Sequence, residues 1–282
     1  MTFIPRRWKY AFGTAAAALA GIVATATLAS ASPVANHSAH AVKAAKPTIV
    51  LVHGGFADAS SWNGVIPQLL KDGYPVVAPA NPLRGVSGDA EYIRSVLDTI
   101  KGPIVLVGHS YGGAVITNAA AGDQEVKALV YTAAFAPDVG EQLGTLLQKF
   151  PGSEVQAALQ QIPYTGPVSG ESGTDLYLNS SQFRAVFAAD LPASQTALMF
   201  AEQRPFSANC FTDVTTAAAW HTIPSWGIVA GADKAIPPAL ETWMYQRAHA
   251  HITVVPGASH VVMLSQPGIV DQVIEQAAAA TS

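Results

Sequence analysis

The chain has 282 residues, half of them hydrophobic and only 12% charged, with a formal net charge of −4. No basic run follows the amino-terminal residues, which argues against nucleic acid as a partner, and the single cysteine, Cys210, excludes an internal disulfide and reads as a buried structural residue. A chain of this length and apolar content can bury one sizeable core, as a single α/β domain does.

The first ten residues carry Arg6, Arg7 and Lys9, the next eighteen, Ala11 to Leu28, carry no charge, and Ala29-Ser30-Ala31 follows. That order describes a secretory signal over residues 1–31, cut near Ala31. A membrane anchor would need a more apolar stretch than this Ala-, Gly- and Thr-rich one. The expectation is therefore an exported protein, secreted or periplasmic, with no stable membrane association after cleavage. The Arg6-Arg7 pair leaves the twin-arginine route open beside the general one. Residues 32–46, rich in Ala, His, Lys and Ser, read as a flexible linker, and the folded domain as 47–282.

Pro47 to Val52 reads as the first strand, ending in His53-Gly54-Gly55-Phe56. Glycines directly after a buried strand let the backbone fold over a substrate oxygen and aim an N–H at it. The Phe56 amide is the donor expected there, with Gly54 and Gly55 shaping the loop and His53 packed to support it. Ser60 or Ser61 is placed to cap a helix through Leu70, closed by Asp72-Gly73. Tyr74 to Ala78 reads as the second strand, and the Pro- and Gly-rich loop from Pro79 to Gly88 leads to a helix from about Asp89 to Ile100.

Ile104 to Val107 is a short β-branched run bounded by Gly and Pro, the pattern of a strand buried on both faces. Gly108-His109-Ser110-Tyr111-Gly112 then matches G-x-S-x-G, and an apolar helix follows from Ala114. Strand, sharp turn and helix form the context in which such a serine is a nucleophile, and the amide of Tyr111 becomes the second oxyanion donor. Val126 to Ala133 reads as the fourth strand. Strands alternating with helices imply a parallel sheet, with its site at the carboxyl ends of the strands.

From Asp138 to about His221 the alternation stops, and the stretch reads as a helical cap over the site, with about a third of its Phe, Leu and Met side chains facing a pocket. Phe150, Phe183, Phe187, Leu191, Met199, Phe200, Phe206 and Phe211 supply that set. The sheet resumes at Pro224 to Val229, and Asp233 follows just beyond the strand end, where an acid can orient an imidazole. Asp138 is the alternative acid. His251 to Val255 is the last strand, and His260 stands in the loop after it, completing the order Ser110, Asp233, His260. His249 and His251 lack a third ligand, so no metal site is assigned.

The stretches LVHGGFADASSWNGVIPQL, GHSYGG, ADKAIPPALETWMYQR and GASHVVMLSQP resemble the α/β-hydrolase superfamily, in the branch of plant methylesterases, hydroxynitrile lyases and related small bacterial esterases. The resemblance runs from residue 48 to 267. It implies the α/β-hydrolase fold, a mostly parallel sheet with helices on both faces and a helical cap insertion. It also implies Ser110 as nucleophile, Asp233 as acid, His260 as base, and no cofactor. Two departures matter: the plant lyases carry a lysine directly after the catalytic histidine, where this chain has Val261, and a hydroxyl-bearing residue in the loop of Gly55 and Phe56. The first weakens cyanohydrin cleavage and favours ester hydrolysis, and the second leaves backbone oxyanion donors only; with an apolar cap almost without charge, the expectation is a serine hydrolase of small neutral carboxylic esters. A C–C lyase on the same triad and a non-catalytic receptor for small molecules are the alternatives.

Overall fold

In the computed structural model, which describes residues 46–166 and 172–281, the β-branched runs form one six-stranded sheet, every pair of neighbours parallel. The readings of residues 1–31 as a leader and of 32–46 as a linker, Lys46 apart, lie outside the described residues. The strands are β1 (Thr48–Val52), β2 (Val76–Val77), β3 (Ile104–His109), β4 (Val126–Thr132), then, after an insertion, two more at Ser225–Ala230 and His251–Val255. All six residues of β3 are buried although alternate side chains point to opposite faces, so the sheet is covered on both sides.

The helices of the first half are α1 (Ile66–Lys71), α2 (Val86–Leu97) and α3 (Tyr111–Ala119). The first of them begins later than Ser60 and Ser61 suggest. Asp58 caps first, its carboxylate accepting the Ser60 N–H at 2.8 Å, and closes a single 3-10 turn over Ala59–Trp62. Gly64 then lies so close to the Met263 carbonyl that a Cβ there would stand 2.8 Å from it. The second helix begins three residues before Asp89, whose carboxylate accepts the Arg84 N–H just ahead of it. Its negative charge in the first turn suits the helix dipole.

The insertion between β4 and the fifth sheet strand contains α4 (Leu143–Leu147), α5 (Val155–Ala158), β5 (Leu159–Thr165), β6 (Ser172–Leu178), α6 (Phe183–Phe187), α7 (Ala193–Ala201), β7 (Phe206–Ser207) and α8 (Asn209–Thr212). Short helices dominate, and an antiparallel sheet in the order β5-β6-β7 is added to them. Pro163 is tolerated in β5 because that strand is an edge. The remaining elements are β8 (Ser225–Ala230), α9 (Pro238–Arg247), β9 (His251–Val255), α10 (Val262–Ser265) and α11 (Pro267–Ala279).

The main sheet runs β2-β1-β3-β4-β8-β9. The chain leaves β1 towards β2 on one side and returns to β3 on the other, so the loops after β1 and β3 diverge at this point. Such a switch opens a crevice at the carboxyl ends of the strands, and the conspicuous loops of the sequence meet there.

Candidate active site

Ser110 joins β3 to α3 with φ 53° and ψ −123°, a conformation that a residue with a side chain adopts only under constraint. The constraint is visible. The Ser110 carbonyl accepts the N–H groups of Gly113 at 3.0 Å and Phe135 at 3.1 Å. A Cβ on Gly108 would stand 2.7 Å from the Gly112 carbonyl, and one on Gly112 would stand 2.5 Å from the Val52 oxygen, so both glycines of the motif are needed for the chain to turn this tightly. Tyr111 opens α3, where its N–H has no intrahelical acceptor and lies at the positive end of the helix. Its hydroxyl donates to buried Asp89 at 2.7 Å. Burial raises the Asp89 carboxyl above its ordinary range, although that hydrogen bond pulls the other way.

Asp233 and His260 are brought together. His260 Nδ1 donates to Asp233 Oδ2 at 2.6 Å with both side chains buried, and Asp233 Oδ1 accepts the N–H groups of Ala235 at 2.6 Å and Ile236 at 3.0 Å. A proton held on Nδ1 leaves Nε2 as the free nitrogen of a ring that lines the same cavity as Ser110. The imidazole stands between two other rings, with centroids 4.7 Å from His109 and 5.1 Å from Phe187. His109 Nε2 donates to the His260 carbonyl at 3.0 Å, and burial holds the His109 ring neutral, its pKa far below the ordinary value. From the insertion, Asp190 accepts the Ser259 N–H at 3.0 Å and the Ser259 hydroxyl, which pins the histidine loop from the other side. His109 and Asp190 are the supports that sequence reasoning missed.

Asp138, the alternative acid, instead accepts from His221 Nε2 at 2.9 Å on a partly exposed edge. The loop after β1 lies against the serine: a Cβ on Gly54 would stand 2.7 Å from Ser110 Cβ. Phe56 has φ 61° and lines the cavity with Gly55. Among the described residues, the Gly55, Phe56 and Tyr111 amides have no acceptor, and these three residues line the cavity with Ser110; Gly55 is the one sequence reasoning passed over as a donor. His53 does not face the cavity. Its Nδ1 donates to the Gly54 carbonyl at 2.9 Å and its Nε2 accepts the Asn81 N–H at 2.9 Å, so the ring braces the loop, with its pKa lowered by burial.

The cavity at Ser110 is small, about 30 Å³, and apart from Ser110 and His260 its walls are chiefly apolar, with Phe135, Leu147, Phe206 and Phe211 among them. A neighbouring cavity of about 290 Å³ carries Phe183, Leu198 and Met199 together with Asp58 and Glu202. Both cavities are lined by Phe56 and Phe187, whose rings meet edge to face at 6.4 Å and form the partition between them. Of the eight insertion side chains singled out in the sequence, Phe187, Phe206 and Phe211 reach the inner cavity, and Phe183 and Met199 reach the outer one. Phe150 packs on Trp243 instead.

Comparison with known proteins gives this geometry a family. The alpha/beta hydrolase family profile matches residues 49–273. The alpha/beta hydrolase nvfD of Aspergillus novofumigatus (strain IBT 16806) is 27% identical over 255 residues, covering 83% of this chain and 97% of that one. A carbendazim hydrolyzing esterase of Nocardioides sp. (strain SG-4G) is 37% identical over 123 residues, 38% of this chain and 50% of that protein. Among solved structures, polyneuridine aldehyde esterase superposes with a TM-score of 0.71 at 22% identity over 82% of this chain and 98% of its own, a likeness of fold. The chain belongs to the alpha/beta hydrolase family.

Proposed function

We propose that this alpha/beta hydrolase is a serine esterase that cleaves small neutral carboxylic esters through an acyl-enzyme on Ser110. The observation that carries the reading is the buried 2.6 Å hydrogen bond from His260 to Asp233 in a ring that shares its cavity with Ser110. His260 Nε2 takes the Ser110 proton as the hydroxyl oxygen attacks the ester carbonyl, and Asp233 holds the tautomer and stabilises the imidazolium. The tetrahedral oxyanion is met by the Tyr111 amide and by an amide of the Gly55–Phe56 turn, each donor worth about 10²- to 10³-fold in kcat. As the alcohol leaves, His260 returns the proton to its oxygen. Water then repeats the sequence on the acyl group and frees Ser110.

Substrate charge follows from the walls. Among the described residues no Asp, Glu, Lys or Arg lines the inner cavity, and the outer one carries the carboxylates of Asp58 and Glu202, so an anionic ester meets repulsion and no clamp. The inner cavity has room for little more than a water or two, and the bulk of any aromatic or branched substituent belongs in the outer one. The esterase names of two similar proteins support the hydrolytic reading.

The test compares wild type and Ser110→Ala on short p-nitrophenyl esters and on cyanohydrins, with folding checked by melting. Ester turnover that falls by about 10³-fold or more in the variant is expected. Near-normal turnover by folded Ser110→Ala, or faster cleavage of cyanohydrins than of esters, would overturn the reading.

A further inference from the structure

Beside Asp233 lies a second carboxyl group that the mechanism above does not use. Glu241, on α9, is fully buried, and its Oε2 accepts the Ala230 N–H at 3.0 Å. Its carboxyl meets that of Asp233 within hydrogen-bonding contact, while Oε1 is buried with no donor directed at it. The other titratable group near it is Tyr245 of the same helix, whose hydroxyl is engaged with Ala134, donating to its carbonyl at 3.0 Å and accepting its N–H at 2.8 Å. No cation faces Glu241 among the described residues. Burial, and then the charge of Asp233, push the Glu241 carboxyl well above the usual carboxylate range.

Two carboxylates in contact, out of water and without a counter-ion, do not both ionise, so the pair holds a proton. The hydrogen bonds decide where. Asp233 receives three donors, the N–H groups of Ala235 and Ile236 and the ring of His260, and Glu241 receives one. The negative charge therefore rests on Asp233. The acceptor available to a proton on Glu241 is Asp233 itself.

We propose that Glu241 is a positioning residue of the triad: it stays a neutral carboxylic acid and donates its O–H to Asp233. As a fourth donor it fixes the plane of the Asp233 carboxylate against His260 and keeps a single negative charge behind the imidazole. The kinetic part of this proposal rests on the serine-esterase reading. The location of the proton does not.

Two variants and two readouts test it. Glu241→Gln keeps a neutral donor of similar size, and Glu241→Leu removes the donor. For Gln, kcat within about threefold of wild type and an unmoved acid limb of the kcat/KM pH profile are expected. For Leu, the expected result is a fall in kcat of about 10- to 100-fold at nearly constant KM, the scale of losing one hydrogen bond to a charged group. An acid limb displaced by a pH unit or more in Gln would mean that Glu241 carried a charge, and a folded Leu variant with wild-type kcat would mean that the donor is idle; either overturns the proposal. Leu also strips Ala230 of its acceptor, so the second readout needs only wild type and Gln. The infrared band of a protonated carboxyl is expected in wild type at mildly alkaline pH, where Asp271, pushed up to about 7 by burial, has ionised. Loss of that band in Gln supports the proposal and its persistence overturns it, whatever Ser110→Ala shows about the triad.

Discussion

Gly54→Ala places one methyl group against Ser110, the proposed nucleophile. Its Cβ would stand 2.7 Å from Ser110 Cβ, 2.9 Å from His109 Nδ1 and 3.0 Å from the His109 carbonyl oxygen. Carbon atoms rest at about 3.5–4.0 Å, so the variant must open roughly 1 Å between the loop and the elbow. Ser110 has little freedom to yield, since its carbonyl is held by Gly113 and Phe135 and its backbone lies in a narrow region of positive φ. The loop yields instead and takes the Gly55 and Phe56 amides away from the oxyanion. A displacement of about 1 Å costs about 10²-fold in rate, and overpacking of this kind costs about 1–3 kcal/mol of stability. Steady-state kinetics on p-nitrophenyl acetate should give kcat lowered about 100-fold with KM within about threefold, alongside a Tm lower by several degrees. Gly73→Ala is the control. Gly73 has φ 80° with no atom near the added methyl, so it loses stability and keeps kcat. A folded Gly54→Ala enzyme with kcat within about twofold of wild type would refute the placement of this loop over the serine.

Asp233→Asn should lower kcat by about 10⁴-fold, because an amide no longer selects the tautomer with Nδ1 protonated, whereas Asp138→Asn, whose carboxylate accepts from exposed His221 and from the Val139 N–H and not from His260, should leave it within about twofold; the reverse ranking would move the acid to Asp138. Phe187→Ala removes half of the partition between the cavities of about 30 and 290 Å³, and a series of p-nitrophenyl esters should show kcat/KM shifting towards longer and bulkier acyl groups, with an unchanged ranking counting against the two-chamber site. Asp271, raised from 3.8 to about 7 mainly by burial, binds its proton more tightly folded than unfolded. Its stabilising protonation is fully present below about pH 4 and is lost as pH rises to about 7. Asp271→Asn should therefore raise Tm above neutral pH, by the equivalent of about 2 kcal/mol after allowing for partial hydration of the site, and have no such effect near pH 4. A melting difference independent of pH would show that Asp271 titrates normally.

The sheet and the elbow were legible because their constraints are local. Ile104 to Val107 is short, β-branched and bounded by Gly and Pro, which favours a strand buried on both faces, and Gly108 and Gly112 stand where a Cβ would strike backbone. Asp233 and His260 were legible for a similar reason, since each follows directly on a strand end of the parallel sheet, at β8 and β9. The start of α1 was misjudged because Asp58 competes for the cap one turn ahead of the serines. The antiparallel sheet of the insertion was hidden by Pro163 and Gly166, which read as breaks when the strand they punctuate or follow is an exposed edge. Asp190 gave no local signal, as its partner Ser259 lies 69 residues away. Glu241 sits in a helix reading PALETWMYQR, where a glutamate looks solvated, and only the packing of α9 on β8 puts it beside Asp233. What escaped the sequence is thus mostly the set of polar groups that hold the site from a distance.

The central claim, that Ser110 carries the acyl group during turnover, is tested most directly by rapid acid quench of the enzyme with p-nitrophenyl acetate, followed by intact-mass and peptide-mass analysis. One acetyl group per chain, on the peptide containing Ser110 and accumulating with the burst of p-nitrophenol, is the predicted result, with no adduct in Ser110→Ala. Steady ester hydrolysis with no covalent adduct on Ser110, and with activity kept by Ser110→Ala, would contradict it.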